Sequence, residues 1–248
     1  MTEDGNAVDP QLLADLVDAN HILFNQGVLD AFGHVSVRHP RRPDRFLLSR
    51  NLAPALVAID DIQTFDLDGN VVDDDRRVYL ERFIHGEIYR ARADVGAVVH
   101  SHSQSVVPFS VVKSATFRPL SHMGGFLGDG AARFEIRDFA GGASDLLVRN
   151  RALGAALAKS LGSNHVVLMR GHGSTVVGPT LKHAVYRAIY TEVNARLETD
   201  ALRIGQRQVR FLNDAEARNS MATNQGQITR AWDLWKAKAF SGGPLCSA

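Results

Sequence analysis

Val95-Gly96-Ala97-Val98-Val99-His100-Ser101-His102 is the stretch on which the reading of this chain turns. A short, β-branched apolar run is the mark of a strand buried on both faces, and its length is too small for a helix. It ends in two imidazoles separated by one serine. On an extended chain, side chains two apart point the same way. His100 and His102 can therefore reach one ion at the place where a strand leaves the core. A bare H-x-H also arises by chance, so a second element is needed. His165–Met169 is another buried strand, and it runs into Arg170-Gly171-His172-Gly173. Glycines on both sides of His172 let the backbone approach a neighbour closely. Two strand ends supplying three imidazoles leave coordination positions open, as a catalytic metal requires.

Outward from these strands the chain alternates helical and extended patterns. Asp9-Pro10 starts a helix whose apolar positions run from Leu12 to Phe24, with Gly27 as the stop. Val35 and Val37 alternate with polar neighbours, and Arg45–Ser49 follows as a second strand. Ile62–Leu67 and Val71–Val72 flank Asp68-Gly69-Asn70, a hairpin signal. Residues 78–92 return to the helical period and place Glu81 on a helix just before the His100 strand. Residues 104–113 read as a short helix and 116–142 as an irregular, Gly-rich segment. Helices are expected over 144–161, capped by Ser144, over 179–204 and over about 214–239. The fold class is α/β. Residues 1–9 are expected as a flexible arm, 10–240 as one domain and 241–248 as a flexible tail.

Composition narrows the partners. Lys plus Arg total 28 and Asp plus Glu total 27, so the formal charge is +1 and no global field attracts nucleic acid or an anionic membrane. Cys246 is the lone cysteine, which excludes an internal disulfide and fits a reducing compartment. The N-terminus lacks a basic region followed by an apolar run, and no stretch reaches the length of a membrane span. A cytoplasmic location is expected.

Glu81 is the candidate acid/base, since a carboxylate near a cation and an apolar wall can be tuned between both roles. His85, one turn later on the same face, either backs the site or lies at the surface. His122, in the Gly-rich segment, either lines a pocket or does not. His21, His39, His165 and His183 have no spacing partner and read as structural or surface residues.

Taken in order, Gly33-His34-Val35-Ser36-Val37-Arg38, Glu81, His100/His102 and Gly171-His172-Gly173 resemble the class II aldolase/adducin family over roughly residues 10–205. The resemblance implies a single α/β/α domain with a central, mainly antiparallel sheet. It implies a homotetramer with sites near subunit interfaces, and a divalent metal: zinc first, manganese or cobalt otherwise. His100, His102 and His172 would hold that metal and Glu81 would move the proton. Sugar-phosphate members carry Gly-Asn where this chain has Gly33-His34, and a Thr/Ser-Gly step where it has Ser49-Arg50-Asn51. They also carry Ser-Ser where it has Tyr79-Leu80. Those small polar groups normally cradle phosphate. Their replacements suit a flat carboxylated ligand, because Arg50 offers a planar fork and His34 and Tyr79 can stack on a ring.

With Ser49-Arg50-Asn51-Leu52-Ala53-Pro54, the pattern most resembles the decarboxylases of hydroxymethylpyridine-dicarboxylate and dihydroxyphthalate. The implied activity is carboxy-lyase action in aromatic catabolism. Glu81 and His34 would be catalytic, and Ser36, Ser49, Arg50, Asn51 and Tyr79 would bind substrate. Aldol cleavage of a non-phosphorylated hydroxy-keto acid is the alternative on the same site. A non-catalytic adducin-like module is the alternative of a different class, which the full histidine and glutamate set disfavours.

Overall fold

The computed structural model describes residues 8–72, 74–205 and 208–240. The arm and tail expected at the termini lie mostly or wholly outside this range. Its centre is one seven-stranded sheet. In chain order the elements are α1 (Pro10–Asn25), β1 (His34–Arg38), β2 (Arg45–Ser49), β3 (Ile62–Asp66), α2 (Arg82–Ala91), β4 (Ala97–Ser101) and α3 (Val107–Val111). They continue with β5 (Ala132–Phe134), α4 (Arg137–Ala140), α5 (Arg151–Leu161), β6 (Val166–Met169), β7 (Gly173–Gly178), α6 (Leu181–Gly205), α7 (Asp214–Gln225) and α8 (Ile228–Phe240).

Strand order is β3-β2-β1-β4-β7-β6-β5. All pairings are antiparallel except β5 with β6. β4 is therefore central, as its apolar sequence requires. Both faces are covered, and the alternation along each strand sorts residues between two cores. Ala97, Val99, Val166 and Leu168 join Leu16, Leu23, Val185 and Trp232 in one core. Val98, Val167, Met169 and Val177 join Ile84, Ile88, Leu157 and Leu161 in the other. The result is the expected α/β/α sandwich with a mainly antiparallel sheet.

Three helix boundaries differ from the periodicity, and each difference has a local cause. The helix expected from 78 begins at Arg82, with Glu81 at the N-cap position. Leu80 and Glu81 before it form a turn, and Tyr79 is tied down by its Oη donating to the Leu52 carbonyl at 2.5 Å. Glu81 makes no capping bond with its own helix, because its carboxylate is used elsewhere. The helix expected from 144 begins at Arg151, capped by Asn150, which accepts from the Leu153 amide at 3.0 Å. Ser144 caps no helix; its hydroxyl accepts from the Leu146 amide in a tight turn. Leu146 has φ +71°, a conformation no α-helix accommodates. The expected last helix is two, broken at Gly226-Gln227. The predicted hairpin at Asp68-Gly69-Asn70 closes through a single bridge, Phe65 to Val71, without a full return strand. β5 lies in the segment expected to be irregular, and β7 falls in a stretch to which no element had been assigned.

No helix among the described residues is long and apolar enough to cross a membrane.

Candidate metal centre and pocket

Antiparallel register places the site. His34 of β1 stands opposite His100 of β4, and His100 stands opposite Thr175 of β7. Directly paired residues point to the same face, so His34 and His100 project together toward α2. His102 follows His100 by two residues and returns to the same side. His172 arrives from the turn between β6 and β7. Gly171 makes that turn with φ +66°, and Gly173 lies so close to β4 that a Cβ would sit 1.9 Å from the Ser101 carbonyl oxygen.

The three imidazoles meet through their Nε2 atoms. His102 Nε2 is 3.2 Å from His100 Nε2 and 3.0 Å from His172 Nε2. Their other nitrogens are fixed by carbonyls. His100 Nδ1 faces the Ser174 carbonyl oxygen at 3.1 Å and His172 Nδ1 faces that of Leu146 at 3.0 Å. A carbonyl only accepts, so both Nδ1 atoms carry the proton and both Nε2 atoms turn lone pairs inward. Glu81 Oε2 lies 3.5 Å from His100 Nε2 and 3.3 Å from His172 Nε2. Glu81 Oε1 accepts from the Val148 amide at 2.8 Å.

Lone pairs from imidazoles and a carboxylate converging on one point repel one another unless a cation lies between them. The four ligand atoms fall within 4.8 Å of one another, and no second such group occurs among the described residues. The donor set thus fits a divalent metal, with nitrogen and oxygen ligands suited to Zn²⁺ and its neighbours. Burial pushes the Glu81 carboxyl up, but His100 and His172 overcome it and hold the group well below the usual range. Burial and the neighbouring imidazoles lower His102 to about 4, which keeps it neutral and able to ligate.

Beside the centre opens a cavity of about 650 Å³, lined by Phe32, His34, the Asn51–Ala53 turn, Tyr79, Leu80 and Leu147 as well as Glu81 and His102. His34 packs on Tyr79 with ring centroids 4.6 Å apart. Asn51, Tyr79 and His34 therefore reach the pocket wall. Ser36 and Ser49 are fully buried behind it. Ser49 bonds the Tyr79 hydroxyl at 3.1 Å, and Ser36 bonds His85 and Tyr89. Arg50 stands outside the lining, with Nε on Asp61 at 2.6 Å. His122 is exposed on a 3-10 turn away from the pocket.

Phe32 and Leu147 of the apolar wall and the backbone groups of Leu146 and Val148 were absent from the sequence reading, where Leu80 entered only as a departure from the Ser-Ser step. No residue type announces a backbone carbonyl or amide, so they carry no signal there.

Residues 14–199 match the family profile described as Class II Aldolase and Adducin N-terminal domain. The chain belongs to this family. It is 39% identical over 245 residues to "Decarboxylase tropJ" of Talaromyces stipitatus, covering 90% of this chain and 92% of that protein. It is 32% identical over 198 residues to a 3,4-dihydroxyphthalate decarboxylase of Arthrobacter keyseri, covering 75% and 77%. Among solved structures, an aldolase II superfamily protein from Pseudomonas syringae superposes with a TM-score of 0.77 at 21% identity, covering 96% and 97%. That likeness extends the shared fold to nearly the whole chain.

Proposed function

We propose that this chain is a metal-dependent carboxy-lyase that removes CO2 from a hydroxylated aromatic or pyridine dicarboxylate. The observation that carries the proposal is the junction of the His100, His102 and His172 cluster with a pocket walled by rings and aliphatic side chains. A phosphate site needs converging N–H and hydroxyl donors. This wall offers His34, Tyr79, Leu52, Leu80 and Leu147 instead, which suits a flat ring. The decarboxylases among its relatives support the same reading.

When bound, the divalent cation, zinc first and manganese or cobalt otherwise, supplies Lewis acidity beside the substrate oxygens where the electron pair left by CO2 collects. The protein's part is to orient, to shield and to move a proton. His34 and Tyr79 face the ring, and Leu80 and Leu147 exclude water. Asn51 meets the carboxylate that is not lost; Arg50, outside the lining with its Nε braced by Asp61, would reach that carboxylate only by turning its terminal nitrogens into the mouth. Ser36 and Ser49 act from behind, through His85 and Tyr79. The C–CO2 bond breaks and its electron pair stays with the ring. Glu81, or a water it positions, then protonates the ring carbon; the carboxylate, ionised at the outset, takes that proton from the substrate's ring hydroxyl. Exposed Phe32, Leu56 and Leu80 support a second copy closing the mouth, in the homotetramer that the family resemblance implies.

The test is CO2 release from a panel of hydroxylated aromatic dicarboxylates by metal-stripped protein re-supplied with zinc, manganese or cobalt. Release that requires metal and vanishes in His100→Ala is expected. Aldehyde from a hydroxy-keto acid, with no CO2 from any panel member, would move the assignment to aldol cleavage.

A further inference from the structure

Behind the pocket wall runs a line of four buried side chains that metal binding does not use. His34 Nδ1 lies 2.6 Å from His85 Nε2. His85 Nδ1 lies 2.6 Å from Ser36 Oγ, and Ser36 Oγ lies 2.7 Å from Tyr89 Oη. His85 and Ser36 have no solvent exposure and Tyr89 has 1%. Each contact is short, and each needs one proton shared between two atoms. Three neutral proton orders satisfy the contacts: two run along the line in opposite directions, and a third converges on Ser36, whose own proton then has no side-chain acceptor among the described residues.

The far end decides among them. Among the described residues, Ser36 Oγ is the only side-chain acceptor within hydrogen-bond distance of the Tyr89 hydroxyl. A buried phenol that donates to nothing loses the desolvation cost of an O–H. Tyr89 therefore donates to Ser36. With Tyr89 donating, His85 Nδ1 is the one side-chain acceptor left for Ser36's own buried proton among the described residues, so Ser36 donates to it and the His85 proton stays on Nε2. That proton goes to His34 Nδ1. His34 must then carry its own proton on Nε2, the nitrogen with no bond inside the line, on the residue that lines the pocket.

We propose that His85 is a positioning residue that fixes His34 as a neutral imidazole presenting an Nε2–H to the bound substrate. This rests on the reading of the pocket as the substrate site. It deepens that reading by giving His34 one role: a hydrogen-bond donor to a substrate oxygen on which negative charge grows as CO2 leaves. A base role for His34 is excluded, because its one lone pair is already engaged by His85. The ligand class it favours carries an oxygen acceptor on the ring, next to the carboxylate that departs. A preorganised donor of this kind acts where charge develops and needs no rearrangement during the reaction.

The experiment has two arms. In the first, solid-state 15N spectra are taken of the metal-loaded protein labelled at histidine, without substrate, with His34→Gln and His85→Gln used for assignment. Both residues are expected as neutral Nε2–H tautomers. An Nδ1–H tautomer at His34 overturns the proposal. In the second, kcat and KM are compared for His85→Met, which fills the space without a donor, and His85→Gln, whose amide still donates to His34. The Met variant should lose about 10- to 100-fold in kcat at unchanged metal content, and Gln should restore most of it. A kcat for Met equal to wild type overturns the proposal. The first arm needs no turnover. Expected tautomers in a wild-type protein that releases no CO2 would strike the decarboxylase reading and leave the positioning role standing.

Discussion

Gly173→Ala is the substitution that most directly tests how the metal centre is built. Gly173 is the first residue of β7, directly after His172 and across from the β4 residues that lead into His102. A Cβ there would lie 1.9 Å from the Ser101 carbonyl oxygen, 2.9 Å from its carbon and 3.0 Å from His102 Cα. The atoms it meets are backbone, with no flexible side chain to swing aside. Raising the shortest contact to 3.0 Å requires the two strands to part by about 1.1 Å. Metal–ligand distances tolerate only about 0.2 Å, and the two Nε2 atoms on those strands stand 3.0 Å apart. His172 would be drawn off the ion, or the ladder between β4 and β7 would be lost. Overpacking of this kind costs about 1–3 kcal/mol, which for a chain of this size lowers Tm by roughly 2–12 °C. Metal affinity should fall by at least about 10-fold. The comparison is Gly142→Ala, where nothing lies within 4 Å of the added Cβ and neither quantity should move. Thermal unfolding and a chelator-competition titration measure both. Wild-type Tm and metal affinity in Gly173→Ala would refute the argument that close approach of these strands sets the ligand geometry.

Other perturbations separate the remaining roles. Glu81→Gln keeps an acceptor for the Val148 amide and leaves three imidazoles in place. It should retain metal and lose about 100-fold or more in kcat; full turnover would remove Glu81 from proton transfer. Arg50→Ala should raise KM about 10-fold, the worth of one charge-assisted hydrogen bond, with kcat little changed; an unmoved KM would reject the carboxylate-clamp role. Glu198, on α6, is driven up to about 7 by burial, against which the Arg118 amide at 3.3 Å pulls only weakly. A folded pKa above the unfolded one means the neutral form is favoured in the native state. That contribution is complete below about pH 4.5 and is lost as pH rises through about 7. Glu198→Gln should therefore stabilise the protein by about 2 kcal/mol above pH 7 and flatten its stability between those limits. Urea denaturation at several pH values would show an unchanged slope if this reasoning fails.

Much of the centre was legible because strand periodicity and ligand chemistry coincide. Two imidazoles at i and i+2 after a β-branched run have only one face to occupy, and the β1–β4 register then brings His34 beside them. What stayed hidden followed from tertiary demands on the backbone. Glu81 fits a helical period, but its carboxylate is drawn to His100 and His172, so the helix begins one residue later. Residues 144–150 also fit a helical period. They are held out of it by local side-chain turns and by Leu146, whose carbonyl is needed by His172. Ser36 and Ser49 sit at positions read as substrate-binding. Inward alternation on their strands buries both completely, so they act through His85 and Tyr79. β7 was missed because it opens on Gly173-Ser174 and ends on Gly178, leaving only Thr175-Val176-Val177 with strand propensity; the close approach to β4 that Gly173 allows supports its pairing.

The loop before α5 joins functions that the chain keeps far apart. The Leu146 carbonyl orients His172, the Val148 amide holds Glu81 Oε1, and Leu147 between them lines the pocket. Leu146 adopts φ +71°, a conformation that costs a branched residue about 1–2 kcal/mol and persists only where the surroundings enforce it. Here the enforcing contacts are the two functional hydrogen bonds and the Asn150 cap that fixes the start of α5. The geometry of the candidate ligand His172 and the Glu81 carboxylate are thus tied to one backbone segment, and the side chain between the two ties lines the pocket. A ligand that displaces Leu147 must strain both bonds, whereas one that packs against it leaves His172 and Glu81 in register. Shape selection by this wall and alignment of the reacting groups are consequently one event, carried by three consecutive residues.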